Sequence, residues 1–183
     1  MDTYTELNFL TTTKEQAKEV EGVIDAYINT HGKRLFGLCQ KLCHNREDAE
    51  DLYQETWIKA YKHLQKYDAN KEFEGWLVTI CVNSYRDLLR RQKWQSLFAR
   101  FSSNEEKEFV LSNIPVAEKS DYTDVRDAVN RLAEKYRLVT ILYYFHDLDI
   151  KKTAAILKIP EGTVKYQLHK ARELLKRRLE SNG

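Results

Sequence analysis

From Ile150 to Arg172 the chain reads IKKTAAILKIPEGTVKYQLHKAR, a short apolar-periodic segment, a turn and a basic segment. Ile150 to Leu157 has the spacing of a short helix opened by Asp149. Pro160 and Gly162 mark a tight connection, and a longer helix is predicted from about Thr163 to Leu179. Two helices crossing steeply need a small residue at the crossing, which Ala154 supplies, and an apolar plug from the second helix, which Val164 supplies. Leu157 and Ile159 would fill the core beneath the turn. Val164, Leu168, Ala171, Leu175 and Leu179 then form the inward stripe, leaving Thr163, Lys165, Tyr166, His169, Lys170 and Arg172 at or near the outward side of the first turns. That is the pattern of a DNA-reading helix-turn-helix, in which Lys and Arg meet guanine edges or phosphates and Tyr and His bond or stack. A basic amphipathic helix alone is more often a solvated surface; the Ala154, turn and Val164 combination shifts the balance to DNA.

The charge distribution supports the reading. From Ile150 to Gly183 nine Lys or Arg stand against Glu161, Glu173 and Glu180, a net of +6, although the whole chain carries only +2. Asn45 to Trp57 is the reverse, with Glu47, Asp48, Glu50, Asp51 and Glu55 against Arg46. One end suits a polyanion, and the other suits a basic partner.

Upstream, the 183 residues contain only 6 Gly and 2 Pro, with 42% hydrophobic and 32% charged residues, a composition that favours an all-α fold. Residues 1–20 carry weak signals and read as a loosely ordered lead-in. Val23 to Cys43 reads as helix with a weak point at His31-Gly32. A second helix follows, capped by Asn45 or Asp48, with Ala49, Leu52, Tyr53, Trp57, Ala60 and Leu64 inward. Opposite them lie Asp51, Gln54, Glu55, Ile58 and Lys62, a polar face with one apolar residue. After the polar stretch Lys66–Glu72, Phe73 to Arg91 reads as a central helix, apolar on more than one side. Periodicity fades after Trp94, and residues 95–120 read as a linker. In 121–183, Val125, Ala128, Val129, Leu132 and Tyr136 are expected to be buried, followed by the apolar segment Leu138–Phe145. Two small helical domains, 21–94 and 121–183, are therefore expected.

Other chemistries find little support. Cys39, Cys43 and His44 invite a zinc reading, but His44 is turned about 100° from Cys43 and no fourth ligand is evident. Three cysteines fit buried reduced thiols of a cytoplasmic protein. No phosphate loop, nucleophile elbow or metalloprotease motif occurs, so neither catalysis nor a cofactor is expected. No apolar run approaches the ~20 residues of a membrane span, so no membrane insertion is expected, and the first residues do not read as a signal peptide.

Three segments, in order, resemble sigma factors of the sigma-70 family. Asp48-Ala49-Glu50-Asp51-Leu52-Tyr53-Gln54-Glu55-Thr56-Trp57 resembles their polymerase-binding region 2.2. Phe73-Glu74-Gly75-Trp76-Leu77 with Ile80, Asn83, Asp87 and Arg90 resembles regions 2.3 and 2.4, and Pro160–Arg172 resembles the −35-reading region 4.2. Short length and a single linker are similar to the extracytoplasmic-function (ECF) group. The resemblance implies that Asp48, Asp51, Gln54, Glu55 and Ile58 dock on core RNA polymerase. It implies that the Tyr67–Glu72 loop, with Tyr67, Asp68, Asn70, Lys71 and Trp76, holds a flipped −10 base; Trp76 is equally plausible as core. Extruding a base costs a few kcal/mol that such contacts offset. Asn83, Arg86 and Arg90, with Lys93, would then follow promoter DNA. An anti-sigma protein is a frequent further partner in the family. The linker acids Glu105, Glu106 and Glu108 are consistent with nucleic-acid mimicry. Ala133 in place of a common Pro, Lys152-Thr153-Ala154 in place of Glu-Ile-Ala-like sequences, and Tyr166 in place of Ser depart from the family pattern; Tyr166 implies an altered −35 preference. The alternative is an ordinary helix-turn-helix regulator that binds operator DNA without polymerase. It explains residues 121–183 but gives Asp48–Trp57 and Phe73–Arg90 no role.

Overall fold

The Asn45 side chain accepts the Asp48 backbone N–H at 2.7 Å, so α2 (Arg46–His63) starts on a side-chain cap, with Glu47 and Asp48 favourably placed in its first turn. The computed structural model describes residues 3–102 and 121–180, with side chains over 22–98 and 125–180. Before α2 runs α1 (Thr3–Leu42), and after it, past a 3-10 turn at Leu64–Lys66, comes α3 (Phe73–Ser102).

These three helices form the first bundle. Leu35, Leu38, Cys39 and Leu42 of α1 meet Ala49, Leu52 and Trp57 of α2 and Leu77, Val78, Cys81 and Val82 of α3 in one buried cluster. Burial at 77, 78, 81, 82, 84 and 85 covers about 160° of the α3 circumference, a broad buried face. Gly32 is no weak point, because α1 is continuous through it. A Cβ there would lie 2.8 Å from the Tyr53 hydroxyl, so the glycine leaves room for the Tyr53 side chain of α2.

Two expectations at the ends of this bundle change. The lead-in is helical backbone from Thr3, consistent with the absence of Gly and Pro between Thr3 and Glu21. Likewise α3 continues to Ser102, into the stretch read as linker, carrying exposed Trp94 and Phe98 with it. Periodicity fades there although the helix runs on, and among the described residues Trp94 and Phe98 are exposed rather than packed. Residues 103–120, with Glu105, Glu106, Glu108 and Pro115, lie outside the described residues.

The second bundle contains α4 (Asp121–Asn130), α5 (Glu134–Thr140) running into a π-helical turn at Ile141–Phe145, α6 (Ile150–Leu157) and α7 (Glu161–Glu180). Ala128, Val129 and Leu132 are buried as expected, whereas Val125 is 41% exposed and Tyr136 half-buried. Val125 stands in the first turns of α4, at the rim of a cavity it shares with Lys41, Val129, Ile141 and Phe145. The two bundles are in contact: α6 lies against α3 and the π-helical turn against α1, and their apolar residues form one cluster.

Candidate nucleic-acid interface

Asp149 caps α6 by accepting the Lys152 backbone N–H at 2.7 Å, and the helix ends at Lys158 in the left-handed region (φ 56°). The Lys158 and Ile159 N–H groups donate to Ala155 and Ala154 carbonyls at 3.3 and 3.1 Å, satisfying two carbonyls the helix end would orphan. The Thr163 and Val164 N–H groups donate to the Pro160 carbonyl at 2.9 and 3.2 Å, which sets α7 on its course within three residues of the turn. Val164 is fully buried, Ala154 is 7% exposed and Leu157 is 5% exposed, so the plug and the small crossing residue stand where the sequence placed them. Leu168 and Ala171 continue the inward stripe. Leu179 does not: it is 37% exposed.

This packing turns Lys165, Tyr166, His169 and Arg172 to the surface, with Tyr166 at 60% exposure, while Thr163 and Lys170 are half-buried. Two local devices hold these groups. The Glu173 carboxylate meets Lys170 Nζ at 2.7 Å and His169 Nε2 at 3.6 Å; the hydrogen bond raises the Lys170 ammonium above its usual range and lowers the Glu173 carboxyl. Arg172 Nε donates to the Tyr144 hydroxyl at 2.6 Å, and the guanidinium stands 5.9 Å from that ring's centre. Tyr144 carries no sequence signal for this, since it reaches Arg172 only through the fold.

In the first bundle the loop before α3 is an ordered turn. Asp68 accepts from the Asn70 backbone N–H and side-chain amide, both at 3.1 Å, and these bonds hold its carboxyl below the usual range. Tyr67 donates its hydroxyl to the Lys71 carbonyl, closing the loop. Asn70 and Lys71 are exposed, while Trp76 is half-buried, 4.9 Å from the Tyr67 ring and 5.4 Å from Phe73. Trp76 is thus both part of an aromatic cluster and partly open at the loop's edge. Along α3, Asn83, Arg90 and Lys93 are exposed and Arg86 is half-buried.

A charge network joins α3 to α2. Lys59 Nζ meets Glu55 at 2.9 Å, Ser84 Oγ at 3.0 Å and Asp87 at 3.5 Å; Asp87 also pairs with Arg90, and Glu55 with Arg91 at 3.4 Å. Burial pushes the Asp87 carboxyl up, but hydrogen bonds and charge from Arg90 and Lys59 outweigh it and hold it low. Adjoining this network on α2, Asp51, Gln54 and Ile58 are exposed, Ile58 at 53%, and Glu55 is half-buried. Asp48 is half-buried, and its carboxylate accepts from Asn45 and, at 3.2 Å, from Gln92 of α3. The face therefore has an apolar centre with a carboxylate rim.

Cys39 and Cys81 lie with sulfurs 3.8 Å apart in the core of this bundle. Their mutual hydrogen bond and burial raise the Cys39 thiol far above its ordinary range, and burial pushes Cys43 up to about 12. These are packed thiols, and His44 stands outside the core. Among the described residues no group of three His, Cys, Asp or Glu side chains is disposed to hold a metal.

Comparison with known proteins matches the two halves separately and in order. The family described as Sigma-70 region 2 matches residues 27–95, and that described as Sigma-70, region 4 matches residues 122–175. The chain is 30% identical over 179 residues to the ECF RNA polymerase sigma factor SigW of Bacillus subtilis, covering 91% of this chain and 96% of that protein. It is 26% identical over 165 residues to the RNA polymerase sigma-H factor of Pseudomonas aeruginosa, covering 85% and 86% of the two chains. The fold resembles that of the sigma factor RpoE of Bartonella quintana, solved in complex with the anti-sigma factor NepR, with a TM-score of 0.64 at 23% identity over 91% of this chain and 98% of that one.

Proposed function

The chain belongs to the sigma-70 family of RNA polymerase sigma factors, in its ECF branch, and from that premise we propose how its surfaces divide the work. As a sigma factor it joins core RNA polymerase and directs promoter recognition and transcription initiation. In this division the α2 face of Asp48, Asp51, Gln54, Glu55 and Ile58 docks on a basic, partly apolar surface of the core enzyme. The −10 element is held by Tyr67, Asp68, Asn70, Lys71 and Trp76, with Asn83, Arg86 and Arg90 along the adjoining DNA. Thr163, Lys165, Tyr166, His169, Lys170 and Arg172 read the −35 element. The residues bind and position nucleic acid, and bond chemistry is left to the polymerase.

The observation that carries this reading is the order of two unlike surfaces on one chain. An acidic helix face with an exposed Ile58 precedes a helix-turn-helix whose outward residues are mostly basic. A regulator that binds operator DNA alone would leave the first without a task. An anti-sigma protein is proposed as a further partner, and the cytoplasm, where the polymerase works, as the location. No helix among the described residues is long and apolar enough to cross a membrane.

Run-off transcription from a genomic-fragment library, with purified protein and sigma-free core polymerase, tests the reading. Specific initiation is expected only with both present, and the transcripts' start sites deliver the promoter sequence. No initiation, with tight binding of the protein alone to a palindromic duplex, would replace it with the regulator.

A further inference from the structure

Where α4 and the π-helical turn meet the end of α1 lies a cavity of about 190 Å³. Val125 and Val129 of α4 and Ile141 and Phe145 of the turn give it apolar walls, and Lys41 and Arg126 add two cations to its lining. Val129 and Ile141 are buried, whereas Val125 and Phe145 are 41% and 40% exposed, so part of the apolar wall opens to water. An apolar cavity of about 150 Å³ takes a benzene-sized guest, so this one has room for an apolar group of roughly six to eight carbons.

Beside it runs an open groove of about 500 Å³ along α1. Lys33, Gly37 and Lys41 line it at spacings of one helical turn, with Arg34 next to them. A Cβ on Gly37 would meet no heavy atom within 4 Å, so the floor of the groove is bare there. Lys41 and Phe145 line both spaces, and the groove and the cavity therefore adjoin.

Neither space is lined by a carboxylate among the described residues. Arg34 is answered by Glu74 at 2.9 Å, but Lys33, Lys41 and Arg126 pair with no carboxylate among those residues. Lys41 Nζ stands 4.6 Å from the centre of the Phe145 ring, a contact that leaves its N–H donors available to an anion. The turn that carries Phe145 is itself unusual. The His146 N–H donates to the Ile141 carbonyl, five residues back, at 3.0 Å, and single π-helical turns of this kind concentrate at functional sites.

We propose that the cavity and the groove together bind a small amphipathic anion. Its apolar group packs against Val125, Val129, Ile141 and Phe145, and its carboxylate or phosphate head meets Lys41, with Lys33 and Arg126 adding positive charge. The cavity is too small for the paired long chains of a membrane lipid, so the ligand is a free molecule with one apolar tail. The site uses no residue assigned to polymerase or promoter, and it stands or falls independently of the sigma-factor reading.

The test uses the full chain without polymerase and octanoate as the ligand, followed by two-dimensional amide NMR. Octanoate should saturate one site, with shifts centred on Lys41, Val129, Ile141 and Phe145. Octanol lacks the charge and octylammonium reverses it, and each should bind at least about tenfold more weakly. Octyl phosphate, run in parallel, separates the two head groups: whichever of it and octanoate binds more tightly names the head. Lys41→Met keeps the apolar stem and removes the charge, so octanoate should bind about tenfold more weakly while octanol is unchanged; Lys41→Arg should retain octanoate. Val125→Trp, at an exposed position, should fill the cavity and abolish binding with circular dichroism retained. If that variant loses its helical signal, Lys41→Met decides. Absence of saturable shifts, equal affinity for octanol, shifts centred on the exposed Trp94 and Phe98, or full octanoate affinity in Lys41→Met would each overturn the proposal.

Discussion

Helices α3 and α7 both carry a basic stripe, but the acids that answer them come from different places. On α7 the answering carboxylate is Glu173, on the same helix, three and four residues from Lys170 and His169. On α3, Arg91 meets Glu55 of α2, and Asp87, the partner of Arg90, also meets Lys59 of α2. Exposed pairs within a helix contribute only about 0.3–0.5 kcal/mol and are readily exchanged for phosphate. The α3 network instead joins two helices, so it shapes the fold as well as the charge. Under the proposed division of surfaces, the −35 face is the more modular, whereas the −10 and polymerase faces share a scaffold.

The largest effect that would sharpen this contrast comes from Ala154→Leu. Overpacking the α6–α7 crossing should cost about 1–3 kcal/mol and abolish −35-dependent initiation. Hydrogen exchange should place the loosening in α6 and α7 while α2 stays protected; equal loosening of α2 would break the claim of modularity. Next, Lys165→Ala with Lys170→Ala should weaken promoter binding by the holoenzyme and reduce the slope of log affinity against log salt by about one for each phosphate that is no longer neutralised. Unchanged occupancy at matched salt would remove both residues from the reading surface.

A smaller change is expected from Gln54→Ala with Glu55→Ala. Affinity for core polymerase should fall about tenfold, or ~1.4 kcal/mol, with far-ultraviolet circular dichroism retained. Because Glu55 also meets Lys59 and Arg91, a modest drop in melting temperature should accompany it, which Gln54→Ala alone should not show. Normal affinity for the core enzyme would move the docking face elsewhere. The smallest effect is Lys158→Gly, which relieves a side chain held at φ 56° and should stabilise the chain by about 0.5–1 kcal/mol in chemical denaturation. A loss of stability would show that the Lys158 side chain makes an interaction worth more than the relief.

What was legible in the sequence was local. Asn45 and Asp149 are cap residues, and both cap. Ala154, Val164 and Leu168 sit at helical spacing around a turn, and all three are buried. The outward positions Lys165, Tyr166 and His169 followed from the same wheel. Misreadings arose where a pattern depends on neighbours. Gly32 read as a weak point but is a close approach to Tyr53, and Leu179 read as inward because periodicity alone does not say which turns are covered.

By itself, then, the sequence determined the helices, their caps, the helix-turn-helix and the order of the two family segments, because these rest on interactions spanning a few residues. Only the tertiary structure decided that Tyr144 holds Arg172, that Lys59 links α2 to α3, and that Arg137 reaches the end of α1. These contacts join residues 25 to 96 positions apart, and no periodicity encodes such a distance. They exist because helix ends leave carbonyls unmet and because buried charges find whichever acceptors the packing brings near.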